Sequence, residues 1–508
     1  MTGGTRVADR DRTMHARRSS MRRFLLPVAL GAALAATTSV VVPALSAAPA
    51  TDELNWGPCP ETPVPTPDLE CTTLRVPLDH RDPGGPTIEL AISRLPSTNP
   101  EQRRGVLFTN PGGPGGSGLD YPQLLTSTAL PSPLPRSVRD RYDVIGFDPR
   151  GVGHSTPVTC DLTPEQLAIG NLPYANDPAD VVRQAEVAKA EARQCAEAET
   201  GAMLPHTTTA NTARDMDRIR AALGEPTASY LGASYGSYLG AVYATLFPER
   251  GDRIVLDSNL GPGGYGIEAM RAFGRGMQER FPDFAEFAAR HPEHGLGTTP
   301  DEVTAKYHEL AARLDREPVA AYTGSIFRGM TFSSLYGSDM GALARAWRSL
   351  DRGEEPEVPG GEPPVSDNVP AARFAVLCGD SAWPRSVQSY QRDVAVDRER
   401  YPLIGAASAN IAACAFWATD PVEPKVAITD GGPSNVLMVQ NERDPGTPLS
   451  GARELRSALG ERARMVTVEE GGHGVYAVGA NRCANDAVTE FLVTGERPED
   501  TTCAAQPR

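Results

Sequence analysis

Short apolar runs alternate with longer stretches of helical spacing along most of this chain. The runs fall at residues 106–109, 142–147, 228–231, 253–257, 435–440 and 465–468. Between them, residues 210–223 place Ile219, Ala222 and Leu223 at helical spacing, and Gly224 closes the pattern. Residues 237–247 are apolar nearly all round, as a helix buried against a sheet would be, and Pro248 ends them. Strands alternating with helices predict a doubly wound, mostly parallel α/β sheet. From about residue 261 to 420 the alternation stops. Helical spacing dominates there, at 273–289, 301–314 and 340–350, with a loop rich in Pro, Glu and Gly at 351–370. The strand pattern then resumes. This argues for a mostly helical cap inserted into the sheet domain, lying over the sheet's carboxyl edge. The expected organisation is a first core segment over 49–260, a cap over 261–420 and a second core segment over 421–508.

The first 48 residues differ from the rest. Arg17, Arg18, Arg22 and Arg23 precede an uncharged stretch over 24–42, followed by small residues through Ala48 and Ala50. Basic, then apolar, then small is the pattern of a cleaved secretory signal peptide. The expected location is therefore extracellular, either free or held at the cell surface, with no membrane contact after cleavage. The formal charge is −15, and the leader carries seven Arg against two Asp, which leaves the mature chain near −20. Such a chain is a poor partner for nucleic acid or for anionic membranes. No motif speaks to oligomeric state.

Export changes the meaning of the eight cysteines. None forms a Cys-x-x-Cys pair, which argues against zinc. In an oxidising compartment four disulfides are expected. Connectivities number on the order of a hundred. Pairing sequence neighbours is the expectation taken here: Cys59–Cys71, Cys160–Cys195, Cys378–Cys414 and Cys483–Cys503.

The chemistry enters at Gly232-Ala233-Ser234-Tyr235-Gly236, a Gly-x-Ser-x-Gly segment between a strand-like and a helix-like run. That is the setting of a nucleophile elbow. A serine hydroxyl needs a base, and the base needs an acid to orient it. In a fold of this kind the acid and then the histidine follow the serine in the chain. Asp444, in Asn-Glu-Arg-Asp-Pro-Gly, follows one late strand, and His473, in Gly-Gly-His-Gly, follows the next. Both fall at the carboxyl edge of the sheet, where open α/β folds build their sites. The backbone N–H of Tyr235 is one expected oxyanion donor. The second is expected from Gly112 or Gly113 in Asn110-Pro111-Gly112-Gly113-Pro114-Gly115-Gly116-Ser117-Gly118, the loop after an early strand. That loop lacks the Gly-Lys-Ser/Thr ending of a phosphate-binding loop. No motif supports a metal, nucleotide or flavin, so no cofactor is expected.

The glycine loop resembles the His-Gly-Gly-Pro-Gly loop of proline iminopeptidases, with Asn-Pro in place of the His. Residues Phe147 to Ser155 (Phe-Asp-Pro-Arg-Gly-Val-Gly-His-Ser) resemble the Asp-x-Arg-Gly-x-Gly-x-Ser segment of the same α/β-hydrolases. With the two late motifs, the chain resembles the secreted tripeptidyl aminopeptidases from about Trp56 to Cys503, most strongly at the core motifs and weakly in the cap. The resemblance implies an α/β-hydrolase fold and a serine exopeptidase that releases short pieces, tripeptides among them, from free N-termini. It implies Ser234 as nucleophile, His473 as proton shuttle and Asp444 as the orienting acid. An N-terminus preference calls for a carboxylate facing the substrate ammonium. Asp380, beside Cys378, and Glu442, near Asp444, are the residues singled out for it. An esterase or lipase, or a proline iminopeptidase-type hydrolase, would use the same triad. A catalytically silent binding module is disfavoured because no triad member is missing.

Overall fold

The computed structural model describes residues 54–357 and 366–506. The proposed leader, residues 1–48, lies outside them. The six apolar runs all become strands, and four further strands extend the sheet. In chain order the strands are β1 Gly57–Pro58, β2 Glu70–Pro77, β3 Thr87–Leu95, β4 Gly105–Asn110, β5 Tyr142–Phe147, β6 Ala228–Ala233, β7 Gly251–Asp257, β8 Val436–Arg443, β9 Ala463–Gly471 and β10 Thr501–Cys503. They form one sheet in the order β1-β2-β3-β5-β4-β6-β7-β8-β9-β10. From β5 to β10 every pairing is parallel, whereas β1, β2 and β3 add an antiparallel edge. The parallel strands β4, β5 and β6 are almost wholly buried, because helices cover both faces.

The antiparallel edge carries its own signal. In β2, Leu74 and Val76 point inward while Thr73 and Arg75 face solvent. This period of two is that of a half-buried strand. The pattern is only a few residues long and is interrupted by Pro77, which hides it beside the apolar parallel runs.

Between β7 and β8 the chain leaves the sheet and forms helices, chiefly Ile267–Arg290, Pro300–Arg316, Gly324–Ser334, Met340–Asp351, Asn368–Asp380 and Val387–Arg400. The expected loop at 351–370 ends early, since the helix starting at Asn368 already occupies its last residues. Trp347 sits fully buried at the centre of this insertion. Its ring meets Phe284 at 4.8 Å and Phe327 at 5.2 Å between centroids. Aromatic contacts of this kind add to the burial of their area. One apolar core runs without a break from Leu256 and Met438 in the sheet to Phe273 and Phe281 in the insertion. The described residues accordingly belong to one unit spanning 51–508.

All four expected disulfides are present, Cys59–Cys71, Cys160–Cys195, Cys378–Cys414 and Cys483–Cys503. Such bridges suit an oxidising compartment. Among the described residues no helix is long and apolar enough to cross a membrane.

Candidate active site

Ser234 stands at the turn between β6 and the helix Tyr235–Leu246, with φ 60° and ψ −124°. A non-glycine residue in this region is strained by about 1–3 kcal/mol. The surroundings hold it there. Its N–H donates to the Asp257 carbonyl at 2.9 Å, and its own carbonyl accepts from the Ser237 hydroxyl at 2.6 Å. Gly236 is required by close approach, since a Cβ there would lie 2.8 Å from the Asn110 carbonyl. Gly112 is required twice over. Its φ is +101°, and a Cβ would lie 2.6 Å from the Ala233 carbonyl and 2.8 Å from the Ser234 Cβ. The glycine loop therefore lies directly against the nucleophile elbow.

The loop is held from the opposite side by Asp148. Its carboxylate accepts from the Ser117 hydroxyl at 2.6 Å, the Gly118 N–H at 2.9 Å, the Leu119 N–H at 3.1 Å and the His154 N–H at 2.7 Å. Arg150 of the same segment is buried in an ion pair with Asp215 at 2.6 Å. The Asp-Pro-Arg-Gly segment thus fixes the loop's position. Within the loop, the Gly112 N–H donates to Asn110 Oδ1 at 3.0 Å, so it is already occupied. Among the described residues the Gly113 N–H has no partner. The Tyr235 N–H opens a helix and is one of the donors a helix leaves free.

His473 and Asp444 meet. The imidazole Nδ1 lies 2.9 Å and 3.0 Å from the two Asp444 oxygens. Asp444 is fully buried and accepts further bonds from the Gly446 and Thr447 N–H groups and the Thr447 hydroxyl, each at 2.9 Å. The carboxylate is thereby locked in one orientation. Burial disfavours the charged imidazole of His473. The charge and hydrogen bond of Asp444, with a smaller pull from Asp257, outweigh this and hold its pKa above the ordinary value. Tyr336, from the insertion, packs on the imidazole at 4.6 Å, and its carbonyl accepts the His473 N–H at 2.8 Å. Among the described residues no hydrogen bond joins Ser234 to His473. Such contacts often close only when substrate binds.

Four residues that sequence reasoning missed complete the surroundings. Asp257 ends β7, and its carboxylate accepts from the Val475 and Tyr476 N–H groups, the latter at 2.7 Å. One residue thus secures Ser234 through its carbonyl and the His473 loop through its side chain. Burial pushes its carboxyl up to about 6, against those hydrogen bonds. An acid at the carboxyl end of a predicted strand was the available signal. Tyr265 interacts with the Ser234 side chain; burial raises its phenol, and Arg373 and Ser234 partly offset this. Arg373 lies close to Tyr265 and Tyr336, and burial lowers its pKa. Tyr265, Tyr336 and Arg373 carry no local signature, because only the packing of the insertion brings them to the sheet edge.

The two residues singled out for the substrate ammonium lie at the end of the helix Asn368–Asp380 and near the end of β8. Asp380 accepts from the Thr209 N–H at 2.9 Å and from the Thr209 hydroxyl at 2.5 Å. Burial pushes its carboxyl up to about 6. Both its oxygens are engaged by Thr209, whose hydroxyl also lies 2.7 Å from the Tyr235 hydroxyl. Glu442 lies half-buried near the end of β8, two residues before Asp444.

Over 479 residues the chain is 35% identical to the tripeptidyl aminopeptidase of Streptomyces coelicolor, a match covering 90% of this chain and 87% of that protein. The chain belongs to the tripeptidyl aminopeptidase family. The family of TAP-like proteins also matches residues 401–503, which contain Asp444 and His473. Serine protease Hip1 of Mycobacterium tuberculosis is 29% identical over 528 residues, covering 95% of this chain and 98% of that one. Carboxylesterase B of the same organism is 30% identical over 474 residues, covering 87% and 88%. The mostly parallel sheet with its covering helices, together with the family match, makes this chain an α/β-hydrolase. It is a serine hydrolase of the peptidase type.

Proposed function

We propose that this tripeptidyl aminopeptidase relative is a secreted serine exopeptidase that releases tripeptides from free N-termini. The observation that carries the reading is the convergence at one sheet edge of a strained serine, a histidine bonded to a buried aspartate, and two free backbone donors. Ser234 Oγ attacks the scissile carbonyl while His473 Nε2 takes its proton. Asp444 holds the Nδ1–H and stabilises the imidazolium. The oxyanion lies between the N–H groups of Tyr235 and Gly113; Gly112 serves by letting the loop approach. Collapse of the tetrahedral intermediate expels the amine, protonated by His473, and leaves an acyl-enzyme that water hydrolyses by the same steps in reverse. The helical insertion acts as the cap that brings Tyr265, Tyr336 and Arg373 over the nucleophile. The four disulfides and the leader pattern support export.

A second reading, an esterase on the same triad, is favoured by the likeness to carboxylesterase B. Matched tripeptidyl, dipeptidyl and aminoacyl anilides, an N-acetylated tripeptidyl anilide and a short-chain ester separate the two. Cleavage of the free tripeptidyl anilide, lost on acetylation, is expected. Ester hydrolysis without anilide cleavage would overturn the peptidase specificity proposed here.

A further inference from the structure

A cavity of about 480 Å³ lies between the helix Pro178–Glu197, which precedes β6, and the helix Asn368–Asp380 of the insertion. That size suits a small ligand or a short peptide segment. The wall is mainly apolar, with Leu167, Ile169, Met270, Phe374 and Trp383 on it. Two charged residues line it, Glu191 from the first helix and Arg373 from the second. Among the described residues, neither has a hydrogen-bond or ion-pair partner. The long amides on the wall are engaged by the protein: Gln184 donates to the Tyr174 carbonyl at 3.1 Å and Asn410 to the Pro173 carbonyl at 2.7 Å. Burial alone pushes the Glu191 carboxyl up to about 7. A carboxyl held in an apolar wall without a partner costs stability, and a cationic ligand removes that cost.

Arg373 connects this cavity to the active site. It lines the cavity, yet it lies close to Tyr265 and Tyr336, which flank Ser234 and His473. Its backbone also packs on Gly115 of the glycine loop. Glu191 comes from a different wall. The two charges give the cavity a polarity: a cation is repelled at the Arg373 end and attracted at Glu191.

We propose that this cavity receives the N-terminal residues of the peptide substrate, with the Glu191 carboxylate pairing the free α-ammonium. The proposal rests on the aminopeptidase reading above and names the residue that enforces it. The apolar wall selects peptides with large apolar side chains near the N-terminus. The released peptide is a zwitterion whose new carboxylate forms at the Arg373 end. It matches the cavity at both ends and inhibits competitively.

The test uses the full-length mature protein, matched free, N-acetylated and N-succinylated tripeptidyl anilides with apolar side chains, and p-nitrophenyl acetate, which is too small to need the cavity. Glu191→Gln is expected to raise KM for the free substrate roughly 10–100-fold, the loss expected for one charge-assisted contact. It leaves kcat and the ester rate within a few-fold of wild type. Glu191→Arg is expected to prefer the succinylated substrate to the free one. A Gln variant that keeps wild-type KM and wild-type discrimination against the acetylated substrate overturns the anchor alone. A wild-type enzyme that cleaves free and acetylated substrates equally overturns the aminopeptidase reading and the anchor with it. Product inhibition of the wild type supplies a measurement that needs no variant to fold. A free apolar tripeptide is expected to compete, and its N-acetyl form to compete at least tenfold more weakly. Equal inhibition by the two overturns the anchor.

Discussion

The sheet edge around Ser234 and the cavity beside it are built on opposite terms. At the sheet edge the polar groups are engaged by one another: Asp444 takes bonds from His473, Gly446 and Thr447, and Asp148 takes three from the glycine loop and Leu119 and one from His154. In the cavity, Glu191 and Arg373 face an apolar space with no partner among the described residues. A satisfied network is rigid, and rigidity is what positions a nucleophile within reach of a transition state. An unsatisfied charge in an apolar wall is an incomplete structure that the right ligand completes. Chemistry and recognition are thus separated in space and in their electrostatics, and Arg373 is the residue common to both.

The largest expected effect breaks the chemical side alone. Ser234→Ala should lower turnover of anilide and ester by about 10⁴-fold or more, while the affinity for a free tripeptide, read by calorimetry, stays near wild type. Loss of tripeptide binding in this variant would merge the two regions into one.

Asp444→Asn comes next, with an expected loss of about 10³–10⁴-fold in kcat. It also carries a pH signature. His473 must be neutral to act as base, and the Asp444 carboxylate holds its pKa up. Activity of the wild type therefore rises with pH along a limb above the ordinary histidine value. In the Asn variant that limb should move down. A pH profile of kcat/KM with an unmoved limb would remove Asp444 from its role.

Gly112→Ala tests the close approach of loop and elbow. The added methyl would meet the Ala233 carbonyl and Ser234 Cβ at a positive φ, so the loop must retreat. A displaced oxyanion donor costs about 10²–10³-fold in turnover, with KM for the free tripeptidyl anilide little changed if the cavity is a separate element.

The smallest effect concerns stability. Asp380 has an ordinary carboxyl value of 3.8 when unfolded and about 6 when folded. Between those values the folded chain binds more protons than the unfolded one, so this group's contribution to stability falls as pH rises from about 4 to about 6. In Asp380→Asn that loss is absent, and the melting temperature should decline less across this window, by a few degrees at most. Its kcat/KM for the free tripeptidyl anilide should hold, because the Asp380 oxygens are occupied by Thr209.

The two regions also differ in how much of them can be read from residues in order. Gly112, Gly236 and Ser234 are legible because a turn this tight admits few residue types, and steric exclusion writes a motif. Asp444 and His473 are legible because parallel strands deliver their following loops to a single edge. The disulfide partners are legible because each pair closes a short stretch of chain. Glu191 is not. On the helix Pro178–Glu197 it stands among Glu186, Lys189 and Arg193, where a lone acid reads as part of a solvated face. Only the distant helix Asn368–Asp380 turns that face into a cavity wall. Asp380 is a third case: its place beside Cys378 reads as a fixed acid, and its fixing partner Thr209 is too far off in sequence for any local pattern to name.

The disulfides fall unevenly across these regions. Cys195 lies one helical turn beyond Glu191 and ties that helix to Cys160; Cys414 lies on the cavity wall and ties it to Cys378, on the helix of Arg373. Ser234, Asp444 and His473 are braced by hydrogen bonds instead. The wall that chooses the peptide is therefore finished by thiol oxidation, while the edge that cuts it is not. On the reading proposed here, the selecting wall depends on two covalent ties, and the triad depends on hydrogen bonds alone.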